Sequence, residues 1–338
     1  MEAGDRVIRS PLWQQIDKVG SHDVSIVGIS KHAGKTTVLG RLIADAKVEQ
    51  RRLGVASIGL DGERVDSLSG IPKPAIWVPE GTLFATAIKS HGHHHVSVRW
   101  LEPAGISSPL GEVWIGQAQE EGPIELVGVR QLAHLLALRR RFHELGVAHA
   151  LFDGALSRMV AVSPEVADGV ILAAGAAVGS LEAVMRETED AVRKLTVPLA
   201  TEGVATWVRT HWQQTGEVTS NAEISAEVDG MLHRIIYSAG AVTDDLVLQW
   251  MGSSEPVELV GRDPTCLFVS REVWRAFLRA GHHLQVLNQA PLIGVAINPA
   301  SPFGETLDRH QLLANMRAKL AVPVWDVMDQ VISDAVDG

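Results

Sequence analysis

The chain has 338 residues, 46% of them hydrophobic and 21% charged, with one cysteine and a net charge of −10. That is enough apolar chain for one large α/β domain or two of ordinary size, with a core needing no disulfide or metal staple. The negative balance argues against nonspecific nucleic-acid binding, which needs surplus cations to displace counterions from a phosphate backbone. Cys266, read as a free buried thiol, excludes an intrachain disulfide and suits a reducing cytoplasm.

Met1 to Asp23 shows no basic stretch followed by an apolar one, and no run of about 18 apolar residues occurs, so neither a signal peptide nor a membrane span is expected. Pro11 to Lys18 reads as a short helix leading in, and a first strand is expected over Val24 to Ile29. It runs into Gly28-Ile-Ser-Lys-His-Ala-Gly-Lys-Thr-Thr37, and a helix follows from Thr36 to about Lys47, with Val38, Leu39, Leu42, Ile43 and Ala46 on one stripe. Strand, glycine loop and helix in this order are the setting of a phosphate-binding loop. Such a loop turns its backbone N–H groups onto phosphates held at the positive end of the helix. The cradle would be Gly28, Ser30, Lys31, His32, Ala33, Gly34, Lys35, Thr36 and Thr37. Gly34 lets the backbone approach, Lys35 supplies a point charge to the β and γ phosphates, and the Thr36 hydroxyl should hold Mg²⁺. Gly28 stands one residue further from Gly34 than the common pattern has it. The competing reading is a strand-to-helix turn that merely uses glycine.

A second buried strand, Val55 to Leu60, ends in Asp61-Gly-Glu63. A right-handed crossover would lay it parallel to the first, so Asp61 and Glu63 either face the γ-phosphate or the metal, or sit in a solvated turn. Asp66 to Pro74 is turn-rich and fits a switch, a lid or a plain connection. A short strand over Ala75 to Val78 and a helix over Leu83 to Lys89, with Thr82 as its N-cap, come next. Ser90-His-Gly-His-His-His95 could bind a transition metal, but no Cys or carboxylate follows at ligand spacing, and alternating strand positions would turn neighbouring rings to opposite faces. The metal is therefore not expected. Gly111 to Gly116 reads as a strand and Arg130 to Leu145 as a helix whose Arg139-Arg-Arg141 forms a solvated face.

Ala148 to Asp153 is an apolar strand closed by an acid, the position of the Walker-B carboxylate that holds Mg²⁺; the alternative is an Asp capping the next segment. Lys35, Asp61 and Asp153 are thus the candidate catalytic residues, with Thr36 and Asp153 on the metal, and Arg158 could reach an anion. A strand over Asp168 to Ala177 enters a helix from Ser180 to about Leu195, where Gly179-Ser180 serves either a second anion or close packing. The pattern then loosens. The expected division is a lead-in over 1–23, a nucleotide-binding domain over 24–200, a linker over 201–228, and a C-terminal α/β domain, or the second half of the same sheet, over 229–338. Strands at Arg234 to Ala239, Cys266 to Val269, Leu292 to Ile297 and Val322 to Val327, and helices at Arg271 to Ala280 and Thr306 to Leu320, make up that last part. Asn298 to Gly304 leaves a buried strand as a polar loop, a usual place for a ligand contact. The fold class expected is α/β: a P-loop NTPase-type parallel sheet flanked by helices, with a smaller C-terminal α/β unit.

The phosphate loop together with Ile58-Gly-Leu-Asp-Gly-Glu63, Lys73-Pro74, Pro79-Glu-Gly-Thr82, Asp153-Gly-Ala155 with Arg158, and Asn298-Pro with Ser301-Pro302 resembles the P-loop subunit of the reactivating factor for adenosylcobalamin-dependent lysine and ornithine aminomutases. The resemblance implies a cytoplasmic ATPase using ATP and Mg²⁺, acting with a larger MutS-like partner subunit on an aminomutase whose cobalamin has been inactivated. Turnover would drive exchange of the damaged corrinoid. No Asp-x-His-x-x-Gly cobalamin motif is present, since Asp308-Arg-His310 lacks the glycine, so no corrinoid contact is expected in this chain. The longer loop is also similar to those of dethiobiotin synthetase, the cobyrinate amidases and the Mur ligases, which leaves an ATP-dependent carboxylate-activating ligase as the rival. A nucleotide-gated binding protein is a third reading. Lys31 resembles the extra lysine of dimeric partition-type ATPases, one residue closer to Gly34 than theirs.

Overall fold

Six-residue strands buried from end to end, such as Asp23–Gly28 (β1) and Leu53–Ile58 (β2), need cover on both faces, and that demand organises the molecule. The computed structural model describes residues 10–58, 76–87, 96–108, 111–126, 128–129, 131–155, 159–215, 222–228, 231–304 and 306–328. The chain divides into two units, Met1–Glu189 with Pro291–Gly338, and Asp190–Ala290.

In the first unit the elements are α1 (Pro11–Val19), β1, α2 (Lys35–Val48), β2, β3 (Ile76–Val78), β4 (Leu83–Ala87), β5 (Val98–Ser108), β6 (Gly111–Ala118), β7 (Gly122–Ile124), α3 (Leu132–Glu144), β8 (His149–Ala155) and β9 (Gly169–Gly175). A helix, α4 (Leu181–Leu195), leaves it, and β16 (Leu292–Asn298), α8 (Arg309–Lys319) and β17 (Val324–Asp326) return to it. Nine strands form one sheet in the order β17-β16-β9-β1-β8-β2-β4-β6-β5. Pairing is parallel from β17 to β4 and antiparallel from β4 through β6 to β5. This is the expected α/β class: a large, mostly parallel sheet flanked by helices.

Helices α1 and α2 cover one face. Trp13, Ile16, Leu39, Leu42 and Ile43 pack with Val24, Ile26, Val55 and Leu151, and the Trp13 indole donates to the Leu42 carbonyl at 3.0 Å. Each such side chain contributes roughly 2 kcal/mol through apolar area removed from water. Helix α3 covers the other face so closely that a Cβ on residue 54 would lie 2.7 Å from the Phe142 ring.

Several expectations change. Leu83–Ala87 is a strand rather than a helix, paired to β2 on one side and β6 on the other, and buried throughout. A short apolar run carries no period that separates strand from helix, and the open edge of β2 decides. Thr82 caps nothing; it is buried and its carbonyl accepts from the Ala118 N–H at 3.0 Å. Arg139 and Arg141 are not a merely solvated face. Arg139 Nε donates to Asp23 at 2.5 Å and His143 Nε2 lies 2.6 Å from the same carboxylate, while Arg141 pairs with Glu102 at 2.5 Å. Strand β2 lies parallel to β1 as expected, but β8 is inserted between them.

The second unit holds α5 (Glu202–Thr215), β10 (Ala222–Val228), β11 (Met231–Ser238), β12 (Val242–Thr243), α6 (Asp244–Trp250), β13 (Val257–Gly261), β14 (Leu267–Phe268), α7 (Arg271–Arg279) and β15 (His283–Val286). Its four-stranded sheet runs β10-β11-β13-β15, antiparallel only at β10. Leu246, Val247, Trp274 and Phe277 pack on one side of it, with the free, buried Cys266, and Val204 and Val208 of α5 on the other. The stretch 201–228, expected as a linker, carries α5 and β10; of 229–338, expected as a separate α/β domain or the second half of the same sheet, β11 to β15 lie in the second unit and β16 and β17 join the first unit's sheet. Among the described residues no helix is long and apolar enough to cross a membrane.

Candidate functional site

Strand β1 lies inside its sheet, between β9 and β8. The chain passes from it to β2 on one side, while β9, β16 and β17 build outward on the other. Such a switch point opens a crevice at the carboxyl ends of the strands, and the turn from Gly28 to Gly34 lies there. Gly34 is the N-cap of α2 with φ 97°, a left-handed conformation that glycine takes without steric cost. The first intrahelical bond runs from Val38 N–H to the Gly34 carbonyl at 3.0 Å. The amides of Lys35, Thr36 and Thr37 thus have no acceptor within the helix, and they point out of its positive end.

Two neighbouring strands wall the turn. Ile29 N–H donates to the Ala173 carbonyl of β9 at 3.0 Å, and a Cβ on Gly175 would stand 2.6 Å from the Ala33 carbonyl oxygen. From β16, the Asn298 side chain lies against Gly34, where a Cβ would be 2.7 Å from its Cβ and its Nδ2. Within the turn Ser30 Oγ donates to the Lys31 carbonyl at 3.0 Å. His32 takes φ 61° and meets the ring of Phe303 edge-on, centroids 5.6 Å apart at 86°.

Asp153 stands two residues before the end of β8, in register with Ile26 of β1 and Ser57 of β2. Strand alternation puts it on the same face as Leu151 and Ile26, which α2 covers, so its carboxylate and the Thr36 hydroxyl belong to the same side of the sheet. Among the described residues no group of three His, Cys, Asp or Glu is arranged to hold a metal. One carboxylate, one hydroxyl and a row of amides are instead the donor set that suits Mg²⁺ carried in on phosphate oxygens, because this ion keeps its waters and takes few protein ligands. The residues fit such a group.

The structure thus brings Gly28, Ser30, Lys31, His32, Ala33, Gly34, Lys35, Thr36 and Thr37 together with Asp153's strand end. Asp61, Glu63, Lys73-Pro74, Arg158 and the His91 to His95 segment lie outside the described residues. Sequence reasoning marked the loop after β16 for a ligand contact, but not the contacts of Asn298 and Phe303 with the phosphate loop, nor that of Gly175. Nothing in their spacing signals a neighbour so far away in the chain.

No family model matches the chain, and no curated protein matches it. Among solved structures it is similar to a structure of pNOB8 ParA bound to nonspecific DNA, with 9% identity, 58% of this chain and 77% of that chain covered, and a TM-score of 0.28. A likeness that faint carries no argument. The chain's own geometry defines the class: a mostly parallel α/β sheet with a strand, phosphate loop and helix at its switch point, the P-loop NTPase type of fold.

Proposed function

We propose that this chain is a Mg²⁺-dependent P-loop ATPase. The observation that carries the reading is the turn between β1 and α2, with left-handed Gly34 at the cap and Lys35 at the first helical position, at the switch point of the sheet. Main-chain amides from Gly28 to Thr37 bind the phosphates, Lys35 neutralises charge that develops on the transferred group, and Thr36 with Asp153 orients the metal. Mg²⁺, when bound there, would supply neutralisation of phosphate charge. Asp61 orients water or senses the γ-phosphate.

The finer reading rests on the segments that resemble the aminomutase reactivase subunit. With a MutS-like partner subunit, ATP turnover drives release of damaged corrinoid from an adenosylcobalamin-dependent aminomutase. The long Gly28 to Gly34 spacing fits a second reading as well as the first: a ligase that uses the γ-phosphate to activate a carboxylate.

Lys35→Ala tests the first step. ATP hydrolysis should fall on the order of 10²- to 10³-fold with the fold retained by circular dichroism; unchanged turnover rejects the ATPase. For the process, the chain, a partner subunit and an inactivated aminomutase are mixed with ATP. Corrinoid release that needs ATP supports reactivation, whereas acyl-phosphate trapping by hydroxylamine would move the assignment to the ligase.

A further inference from the structure

We propose that Phe303 is a positioning residue for the phosphate loop. Its edge-on contact with His32 holds residue 32 in the left-handed turn that presents the loop's amides to a triphosphate, an inference that rests on the nucleotide reading above. Among the described residues only His32 and Gln50 combine a side chain with positive φ, and His32 alone does so inside the phosphate loop. For an L side chain that conformation is disfavoured by roughly five- to thirtyfold, although histidine tolerates it better than most. An edge-to-face aromatic pair offsets roughly three- to tenfold of this. The contact thus offsets a part of the bias against this conformation.

Phe303 is not placed there by burial, since it is 60% exposed. Its position comes from its own loop, which is closed by hydrogen bonds: Ala300 N–H to Asn298 Oδ1 at 3.2 Å, Phe303 N–H to Ser301 Oγ at 3.2 Å, and Leu307 N–H to the Pro299 carbonyl at 2.9 Å. The root of this loop, Asn298, already touches Gly34. The loop after β16 therefore meets the phosphate turn at two points, one at its cap and one at its strained residue.

The test is a double-mutant cycle on Mg²⁺-ADP affinity in the full chain. Phe303→Ala should weaken binding about three- to tenfold, Phe303→Tyr should restore it, and kcat at saturating ATP should move less than the affinity. Glycine takes positive φ freely, so in a His32→Gly background the addition of Phe303→Ala should change nothing further. An equal loss in both backgrounds, or wild-type affinity in Phe303→Ala, overturns the proposal. Hydrogen exchange in the nucleotide-free protein decides it separately from the ATPase reading. Amides in the peptide spanning residues 28–37 should exchange faster in Phe303→Ala and as in wild type in Phe303→Tyr, and unchanged exchange in Phe303→Ala overturns the proposal even if no nucleotide binds.

Discussion

The Asn298 side chain occupies the place a β-carbon would take on Gly34, 2.7 Å from both its Cβ and its Nδ2. Two constraints therefore meet at residue 34: a left-handed backbone and a neighbour from β16. Gly34→Ala should lower nucleotide affinity at least tenfold, because strain of about 1–2 kcal/mol is added to the clash. Adding Asn298→Gly removes the clashing atoms, Cβ included, but not the strain, so the double variant should recover part of the loss. Calorimetric titration with Mg²⁺-ADP measures both.

Asp153 shares the α2 face of the sheet with the phosphate turn. As a metal-orienting carboxylate it should set the Mg²⁺ requirement. Asp153→Asn should raise the Mg²⁺ concentration for half-maximal hydrolysis by about 10- to 100-fold. An unchanged Mg²⁺ titration would instead make Asp153 a structural residue of β8.

At the opposite end of β1, Asp23 is 1% exposed and bound to Arg139 and His143. The arginine is 32% exposed, so the buried partner is the acid. Truncating Arg139 leaves that acid in place with one partner fewer, which should cost about 3 kcal/mol; Asp23→Asn should cost less, since its partners regain water. Urea midpoints of the two variants give the order, and a smaller loss for Arg139→Ala would contradict it.

His149 is buried beside Arg51, whose guanidinium donates to Nε2 at 3.0 Å. Burial first, then the charges of Arg51 and His22, push its pKa below the usual histidine value, against weaker upward pulls from Asp17 and the Ser21 backbone. The unfolded chain then binds a proton that the folded chain refuses. The stability His149 contributes is present above its unfolded pKa of about 6.5 and is lost as pH falls toward the lower folded value. The urea midpoint should drop between about pH 7.5 and 5.5 more in wild type than in His149→Gln. Parallel curves would show that other groups govern the acid side.

Much of the first unit is written in local pattern. The stripe Val38, Leu39, Leu42, Ile43 and Ala46 marks α2, and runs rich in apolar residues mark β1, β8 and β9. Leu83–Ala87 was not legible, because its strand character comes from pairing with β2 and β6. Helix α5 hides its apolar contacts in Val204, Ala205 and Val208, among polar neighbours.

The phosphate turn belongs to the sequence alone: glycine where the backbone must turn left-handed, lysine and threonine at the start of a helix, all within ten consecutive positions from Gly28 to Thr37. Only the tertiary structure decided what stands around that turn. Strand β16 joins the first sheet after a whole unit has intervened, and it carries Asn298 and Phe303 to Gly34 and His32. Short-range chemistry fixes how a backbone can bend, but the side chains that press on the bend arrive by sheet order, which pairing between distant strands sets.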